Sequence, residues 1–310
     1  MDAPAIGNCL LVKDNDSFRR PFGVDNTIIL TIDLEPWASS SLNLLSPREA
    51  ALVQRHLPQK DRQVDRGIEF LLDLLAIRQD RATFFILGST AQTHRETIRL
   101  IQSYGHEVAS HSMTHRPLNR ISLSELEYEL VFSKKLIEDI TGAEVSGFRA
   151  PYLINYPQPM DFANSLRAAG YRYDSSYTDK VARQTLSHDG FNYLWFSGEQ
   201  GREVFEIPIM TISCLLWSIP LGGTYMKFLS SRFIAKVVKG NIQRGGTPVL
   251  YFHPYEIDKF PVSWPHPDPS LKARFSLFFR NFRQNCHASQ IDFLLHQLRS
   301  ISIRDYLKLS

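Results

Sequence analysis

Short runs of β-branched and aromatic residues alternate with helical segments along most of this chain of 310 residues. Strands that alternate with helices predict βα units and therefore a parallel sheet. Seven runs have the length and the flanking Gly or Pro expected of strands: Thr27–Asp33, Ala82–Leu87, Glu107–Ser110, Ser146–Arg149, Tyr171–Asp174, Phe205–Pro208 and Pro248–His253. About seven strand–helix units without a Gly/Ser linker fit a single-domain α/β barrel better than two small domains.

Helices are predicted between these strands from apolar residues at helical spacing. In the clearest one, over Ser122 to Ile140, Ser122 and Glu125 form a capping box and Gly142 lies just past the end. Further helices are predicted over 63–78, 91–104, 160–169, 225–243, 270–284 and 288–298. Two segments, 36–62 and 175–203, are expected to be excursions from the barrel. Residues 1–25 are expected to form an N-terminal arm, and 26–310 the barrel with its C-terminal helices.

Composition narrows the classes of protein that this chain can represent. Its formal net charge is +3, without a basic tail or stripe, so nucleic acid is not an expected partner. The three cysteines, Cys9, Cys214 and Cys286, are far apart and indicate neither a disulfide framework nor a CxxC metal site. No secretory signal is recognisable, and the most apolar stretch, Ile207 to Leu221, is too short to span a bilayer. A cytoplasmic protein without a transmembrane segment is therefore expected.

Polar residues follow five of the predicted strands at their carboxyl ends: Asp33, His111, Arg149, Asp174 and His253. In a parallel α/β barrel, the carboxyl ends of the strands form the face that carries the active site. One such residue would mean little, but five on five strands predict a functional site there.

Two members of this set, Asp33 and His111, each have a second possible metal ligand close by in the sequence. Asp33 and Glu35 point to the same side of a strand, although a strand that runs into a solvated loop would also explain two acids. His111 and His115, four residues apart, would share one face of a helical turn, although histidines on a surface loop are the plainer alternative. Two histidines with one carboxylate match a catalytic zinc site that keeps a position open for water.

Three further residues have both a structural and a functional interpretation. Arg149 is able to pair with a carboxylate across the barrel mouth or to face solvent. His253 ends an apolar strand, where a histidine is more often a core residue than a catalyst. Asp174 is expected to hydrogen-bond His253 and hold its pKa near or above neutrality.

The ordered motifs TxD, SHSxTH, RxPY, YDSS and LxxH, from about Thr27 to Glu256, resemble those of the polysaccharide deacetylase family with the NodB homology domain. The branch found in bacterial exopolysaccharide biosynthesis clusters is the most similar. The resemblance implies a distorted (β/α)7 TIM-like barrel. It also implies a divalent metal ion, usually zinc, and the removal of N-acetyl groups from amino sugars.

When the roles of the family's motif residues are transferred to the matching positions of this chain, the resemblance implies a function for each of them. Asp33 would be the general base and Arg149 would orient it. His253 would be the general acid, tuned by Asp174. The backbone N–H of Tyr152 would stabilise the oxyanion.

The metal shell departs from the family pattern at one position. The resemblance implies that His111 and His115 bind the metal. The family usually has two adjacent aspartates, the second of which is a ligand, whereas here Leu34 and then Glu35 follow Asp33. Glu35 is therefore expected to be the third ligand, with Asp33 as the alternative.

The expected activity is metal-dependent hydrolysis of the N-acetyl amide on a polysaccharide or a lipid-linked glycan. One alternative is an allantoinase-like or cyclic-amide hydrolase on the same barrel. Another is a carbohydrate-binding protein that has lost catalysis. The complete set of acid, base and ligand residues argues against loss of catalysis, because a binder would be free to lose the base or the acid.

Overall fold

The structure is a computed structural model of the chain. It describes residues 26–41, 62–153, 159–185, 194–196, 204–214, 217–261, 270–284 and 286–309. The arm predicted over 1–25 and most of the excursion predicted over 36–62 lie outside these residues, as do parts of the one predicted over 175–203.

The strands are β1 (Thr27–Leu34), β2 (Thr83–Ile86), β3 (Glu107–Ser110), β4 (Gly147–Phe148), β5 (Tyr173–Asp174), β6 (Leu194–Phe196), β7 (Val204–Glu206), β8 (Thr211–Cys214), β9 (Trp217–Pro220), β10 (Val249–Phe252) and β11 (Arg299–Ile301). The helices are α1 (Trp37–Ser41), α2 (Arg62–Arg78), α3 (Gly88–Thr93), α4 (Arg95–Ser103), α5 (Leu123–Thr141), α6 (Pro159–Ala168), α7 (Asp179–Thr185), α8 (Ser231–Gln243), α9 (Pro254–Ile257), α10 (Leu271–Asn281), α11 (Cys286–Leu295) and α12 (Ile303–Leu307). Two 3₁₀ turns cover Leu118–Arg120 and Gly223–Phe228.

Seven strands form a curled parallel sheet in the order β10-β1-β2-β3-β4-β5-β7. These are the seven strands predicted from the sequence, and the (β/α)7 barrel is confirmed. The backbone N–H of Met210, just beyond β7, donates to the carbonyl of Val249 in β10 at 3.1 Å, which joins the two ends of the sheet. The prediction missed β6, β8, β9 and β11, which are short and pair at the margins of the barrel.

Successive side chains of β1 point alternately to the outside and to the interior of the barrel. Ile29 packs inside with Phe85 and Val249, whereas Ile28 and Leu30 pack outside. Helix α12 contributes apolar side chains to the interior cluster at the end where β1 begins. With that end filled, the inward-facing positions that follow Ile29 along β1 lie toward the opposite, carboxyl end.

Two predicted helices are divided in the structure. The segment 91–104 is split into α3 and α4 at His94, whose φ of −120° is not helical. The segment 225–243 is a 3₁₀ turn followed by α8, because the side chain of Ser230 accepts from the backbone of Phe233 and begins a new helix. The capping box predicted for Ser122 is confirmed at the start of α5. Each helix in the described ranges is too short or too polar to span a lipid bilayer.

His106 carries a pH dependence of stability. Its ring is 2% exposed and lies 5.3 Å from the ring of Phe84, and neither ring nitrogen has a hydrogen-bond partner within the described residues. Burial, with a smaller contribution from Arg81, lowers the pKa of His106 to about 4. The folded chain therefore resists a proton that the unfolded chain accepts near its ordinary pKa of 6.5.

The contribution of His106 to the free energy of unfolding should consequently fall as pH decreases from about 6.5 to about 4, by about 1.4 kcal/mol per unit, and it is flat outside that window. Replacing His106 with Phe should remove this slope, which amounts to about 3 kcal/mol over the window. Urea unfolding across this pH range tests the expectation, with the exposed His296→Phe as the control. A parent-to-variant difference that does not change with pH would contradict it.

Candidate active site

Most of the predicted site residues converge at the carboxyl end of the barrel. They come from the ends of β1, β3, β4 and β10 and from the loop after β3. The residues that meet there are Asp33, Glu35, His111, His115, Arg149 and His253. The parallel register of these strands brings them together, because neighbouring strands end at the same edge.

Glu35, His111 and His115 each offer a ligand atom, and these atoms lie within 4.8 Å of one another. All three residues are buried. Two imidazoles and one carboxylate are a donor set that suits zinc with a position left open.

Hydrogen bonds fix both histidine rings in the form that binds metal. Nδ1 of His111 lies 2.9 Å from the carbonyl oxygen of Arg149, which only accepts, so this nitrogen carries the proton. Nδ1 of His115 lies 3.0 Å from the hydroxyl of Tyr152, which itself donates to the carbonyl of Ser39 and so accepts from the ring. In its neutral form each ring would therefore present the lone pair of Nε2.

The position of Glu35 supports a cation at this place. Its Oε2 lies 2.5 Å from Nε2 of His115 and has no hydrogen-bond partner within the described residues. Two lone pairs at that distance repel, so the contact requires either a proton or a metal cation between them. Burial raises the pKa of Glu35, but positive charge on His115, His253 and His111 and the hydrogen bond with His115 together lower it more, so the net shift is downward. The donors present therefore fit a divalent ion.

The loop that carries the two histidines is not the helical turn predicted from their spacing. Ser112 and His115 adopt positive φ values of 69° and 60°. The carboxylate of Glu129 in α5 accepts from the backbone N–H groups of Met113 and Thr114, both at 2.8 Å. These bonds replace the backbone hydrogen bonds that a helical turn would make. The two histidine rings therefore converge through a loop that the Glu129 side chain holds in place.

Sequence reasoning missed Glu129. It is 1% exposed and also accepts from the hydroxyls of Ser112 and Thr114. The sequence did contain a sign of its burial, because Glu129 follows Leu126 by three residues and so places a carboxylate on the apolar face of the predicted helix.

Arg149 is fully buried and makes hydrogen bonds that hold Asp33, the predicted general base, in place. Its Nη1 donates to Oδ1 of Asp33 at 2.7 Å and to the hydroxyl of Thr31 at 2.8 Å. Its Nε and Nη2 donate to the carbonyl and the hydroxyl of Ser175, and its guanidinium lies 4.1 Å from the ring centroid of Phe85. Burial raises the pKa of Asp33, but the charge and hydrogen bond of Arg149 together with smaller contributions from His111 and His253 outweigh it, so the pKa is lowered and the carboxylate stays ionised.

His253 faces the metal-ligand cluster from the end of β10. Its Nε2 is 3.5 Å from Oε1 of Glu35, and its Nδ1 is 2.9 Å from Oε2 of Glu256. Burial lowers the pKa of His253, but the attraction of Glu256 and the hydrogen bond to it prevail and raise the pKa.

The predicted hydrogen bond between Asp174 and His253 is wrong. Tyr173 occupies the inward position on β5, so Asp174 points to the outer side of the sheet. There it accepts from the hydroxyl of Ser176 at 2.5 Å and lies beside Glu206. Burial raises the pKa of Asp174 to about 6, and the two carboxyls form a buried pair away from the site.

Two family models match the chain. The model described as polysaccharide deacetylase matches residues 61–173, and a domain of unknown function, DUF3473, matches residues 177–308. The first match begins after Asp33 and Glu35, and His253 lies within the second.

Named relatives match over shorter segments. A chitooligosaccharide deacetylase from Sinorhizobium fredii is 36% identical over 83 residues, which is 26% of this chain and 39% of the relative. A peptidoglycan deacetylase from Helicobacter pylori is 32% identical over 114 residues, which is 36% of each. The chain thus spans less than two fifths of the length of these relatives.

Two solved structures share the fold. A polysaccharide deacetylase from Mycobacterium smegmatis, whose assignment is itself provisional, superposes with a TM-score of 0.54 at 20% identity, over 89% of this chain and 85% of its own. Puue allantoinase superposes with a TM-score of 0.59 at 13% identity, over 93% of this chain and 91% of its own. At these identities the likeness concerns the fold alone.

Proposed function

Since the chain belongs to the polysaccharide deacetylase family, we propose that it is a metal-dependent hydrolase that removes N-acetyl groups from the amino sugars of a polysaccharide or a lipid-linked glycan. The observation that carries the proposal is the buried convergence of a two-histidine, one-carboxylate cluster with a separate carboxylate and a separate histidine. These are the parts that amide hydrolysis needs: a Lewis acid site, a base and an acid.

We also propose that residues 26–310 act as one domain. Strands from the segments matched by both family models share one sheet, since β1 pairs with β2 on one side and with β10 on the other. The site consequently draws on both matched segments, with His111 from the first and His253 from the second.

Glu35, His111 and His115 would hold a divalent cation, which would polarise the acyl carbonyl and lower the pKa of a water molecule. Asp33 would take up the proton of that water as it attacks the acyl carbon. Because Arg149 holds Oδ1, the proton would go to Oδ2 of Asp33. The backbone N–H of Tyr152 stays a predicted donor to the oxyanion.

His253 would complete the reaction at the leaving group. The carbon–nitrogen bond breaks as Nε2 of the protonated ring donates its proton to the amine nitrogen, which would otherwise leave as a poor anion. The products are a free amino sugar and acetate. The family match and the named relatives favour this reaction over ureide hydrolysis, for which the structure offers only a shared fold.

Mass spectrometry tests the proposed reaction. The zinc-loaded protein is incubated with N-acetylated oligosaccharides, lipid-linked amino sugars and ureides, and the products are analysed together with released acetate. A loss of about 42 Da for each acetyl group, with matching acetate, would support deacetylation. The Asp33→Asn variant, purified in parallel, controls for a contaminating hydrolase. Ureide cleavage without acetate release would overturn the proposal.

We expect one divalent ion per chain and a weaker hold on it in the Glu35→Gln variant. The amide that replaces the carboxylate removes a negative ligand, so metal affinity should fall at least about tenfold, and added zinc should partly restore the rate. Elemental analysis after dialysis measures the occupancy, and Glu125→Gln, an exposed carboxylate on α5, is the matched control. Full activity after exhaustive chelation would contradict this expectation.

A further inference from the structure

Glu256 is a buried carboxylate behind His253 that the sequence motifs did not single out. Its Oε2 accepts from the backbone N–H of His253 at 3.2 Å and contacts Nδ1 of the same residue at 2.9 Å. Its Oε1 accepts from the hydroxyl of Thr224 at 3.0 Å. Its side chain is fully enclosed, so both oxygens are committed to protein partners.

The backbone holds Glu256 in this place. It lies in α9, which begins directly after His253, and its carboxylate reaches back across this first turn to the backbone N–H of His253. Helix α9 is seated closely on α2, since a Cβ atom added to Gly67 would lie 2.2 Å from the carbonyl oxygen of Pro254. Little room is left for the turn that carries Glu256 to shift.

These contacts determine which nitrogen of His253 carries a proton. A backbone N–H only donates, so the Oε2 atom that it contacts must be an acceptor. The same oxygen contacts Nδ1, and therefore Nδ1 carries a hydrogen. The other nitrogen, Nε2, is the one that lies 3.5 Å from Glu35 and faces the site.

The charges around Glu256 keep it ionised. Burial raises the pKa of Glu256, but the attraction of His253 and the hydrogen bond to it, with smaller contributions from His287 and Arg280, hold the pKa well below its usual range. The guanidinium of Arg280 lies 4.2 Å from the ring centroid of Tyr255, which in turn stacks on His253 at 4.8 Å. The acceptor role of the carboxylate is therefore stable.

We propose that Glu256 is the positioning residue of His253, which holds a hydrogen on Nδ1 and directs Nε2 toward the leaving amine. The inference rests on the proposed function, in which His253 is the acid. It assigns to Glu256 the role that the family resemblance gave to Asp174, whose side chain lies on the outer side of the sheet.

Two substitutions of Glu256 separate its charge from its hydrogen bond. In Glu256→Gln the amide oxygen should take the place of Oε2, because the backbone N–H of His253 demands an acceptor, and the amide NH₂ then faces the Thr224 hydroxyl. The hydrogen on Nδ1 is kept while the charge is lost. Glu256→Met has a similar length and no acceptor, so it should lose both.

The kcat of the parent should exceed that of Glu256→Gln, which in turn should exceed that of Glu256→Met. For Glu256→Met we expect kcat to fall by about 10²–10⁴-fold, as when a catalytic histidine loses the group that orients it. KM should change little, because Glu256 lies behind His253 and does not reach the substrate. A Met variant with the kcat of the parent would overturn the inference.

NMR of ¹⁵N-histidine in the zinc-loaded protein gives a readout that does not depend on activity. The signals of His253 are assigned by difference against His253→Gln, at a pH where the ring is neutral and carries one hydrogen. We expect that hydrogen on Nδ1 in the parent, in Glu256→Gln and in Asp174→Asn, and on Nε2 in Glu256→Met.

A hydrogen on Nε2 in the parent would overturn the inference even if the Met variant does not fold. A shift of the hydrogen in Asp174→Asn instead of Glu256→Met would do the same. A parent protein that shows the expected Nδ1 hydrogen but releases no acetate would refute the proposed function and leave the positioning by Glu256 supported.

Discussion

Replacement of Asp33 by asparagine is expected to lower kcat by roughly 10²–10⁴-fold and to leave the metal content of the protein unchanged. Asparagine has the shape of aspartate and keeps an oxygen that accepts from Arg149 at the position of Oδ1. The second position then carries an NH₂ group, which is unable to take up a proton. The chemical step should fail while substrate binding and folding persist.

The geometry supports this division of roles between the two acids. Glu35 shares the cluster of ligand atoms with His111 and His115, whereas the Oδ1 atom of Asp33 is held by Arg149. A carboxylate paired with a buried guanidinium is a weaker donor to a metal than one that faces two imidazole lone pairs. Asp33 is therefore better placed for proton transfer than for ligation.

Glu35→Gln is the matched variant for this experiment, because it makes the same change of chemistry two residues away. We expect it to lose metal and to recover part of its rate with excess zinc, whereas Asp33→Asn should not respond to zinc. The measurements are metal stoichiometry and the initial rate against added zinc. If Asp33→Asn loses the metal while Glu35→Gln keeps both metal and activity, Asp33 is itself the ligand.

Sequence patterns predicted the barrel because its strands are locally distinct. Each of the seven runs is short, apolar and bounded by turn residues, and parallel pairing brings their carboxyl ends to one edge. The same reasoning brought Asp33, His111, Arg149 and His253 together, and the structure places them in one site. Convergence is thus a consequence of topology and is readable from the chain.

Partners of these residues were harder to predict, because they depend on which side of an element a residue faces. Asp174 follows the right strand, but in the two-residue strand β5 it is Tyr173 that points inward. Glu129 acts from a helix that packs across the loop it holds, which is a tertiary contact. Glu256 reaches back to the backbone N–H of His253 at the start of a helix, and a histidine is not one of the Ser, Thr, Asp and Asn residues that usually mark such a start.

Replacement of Arg149 by methionine is expected to destabilise the protein by about 3–5 kcal/mol, which is typical when one partner of a buried ion pair is removed. Methionine fills much of the same volume, so the loss would come mainly from charge and hydrogen bonds. It would leave the Asp33 carboxylate buried without its cation and the carbonyl of Ser175 without the donor from Arg149. Urea unfolding at neutral pH measures the change.

A matched control comes from the exposed pair of Arg116 and Glu125, whose charged atoms are 2.9 Å apart. Arg116→Met should cost no more than about 1 kcal/mol, since solvent screens a surface ion pair. The double variant Asp33→Asn with Arg149→Met should be more stable than Arg149→Met alone, because the uncompensated charge is removed as well. Two results would contradict this view of the buried ion pair. Either Arg149→Met lowers the free energy of unfolding no more than Arg116→Met does, or adding Asp33→Asn to Arg149→Met restores none of the lost stability.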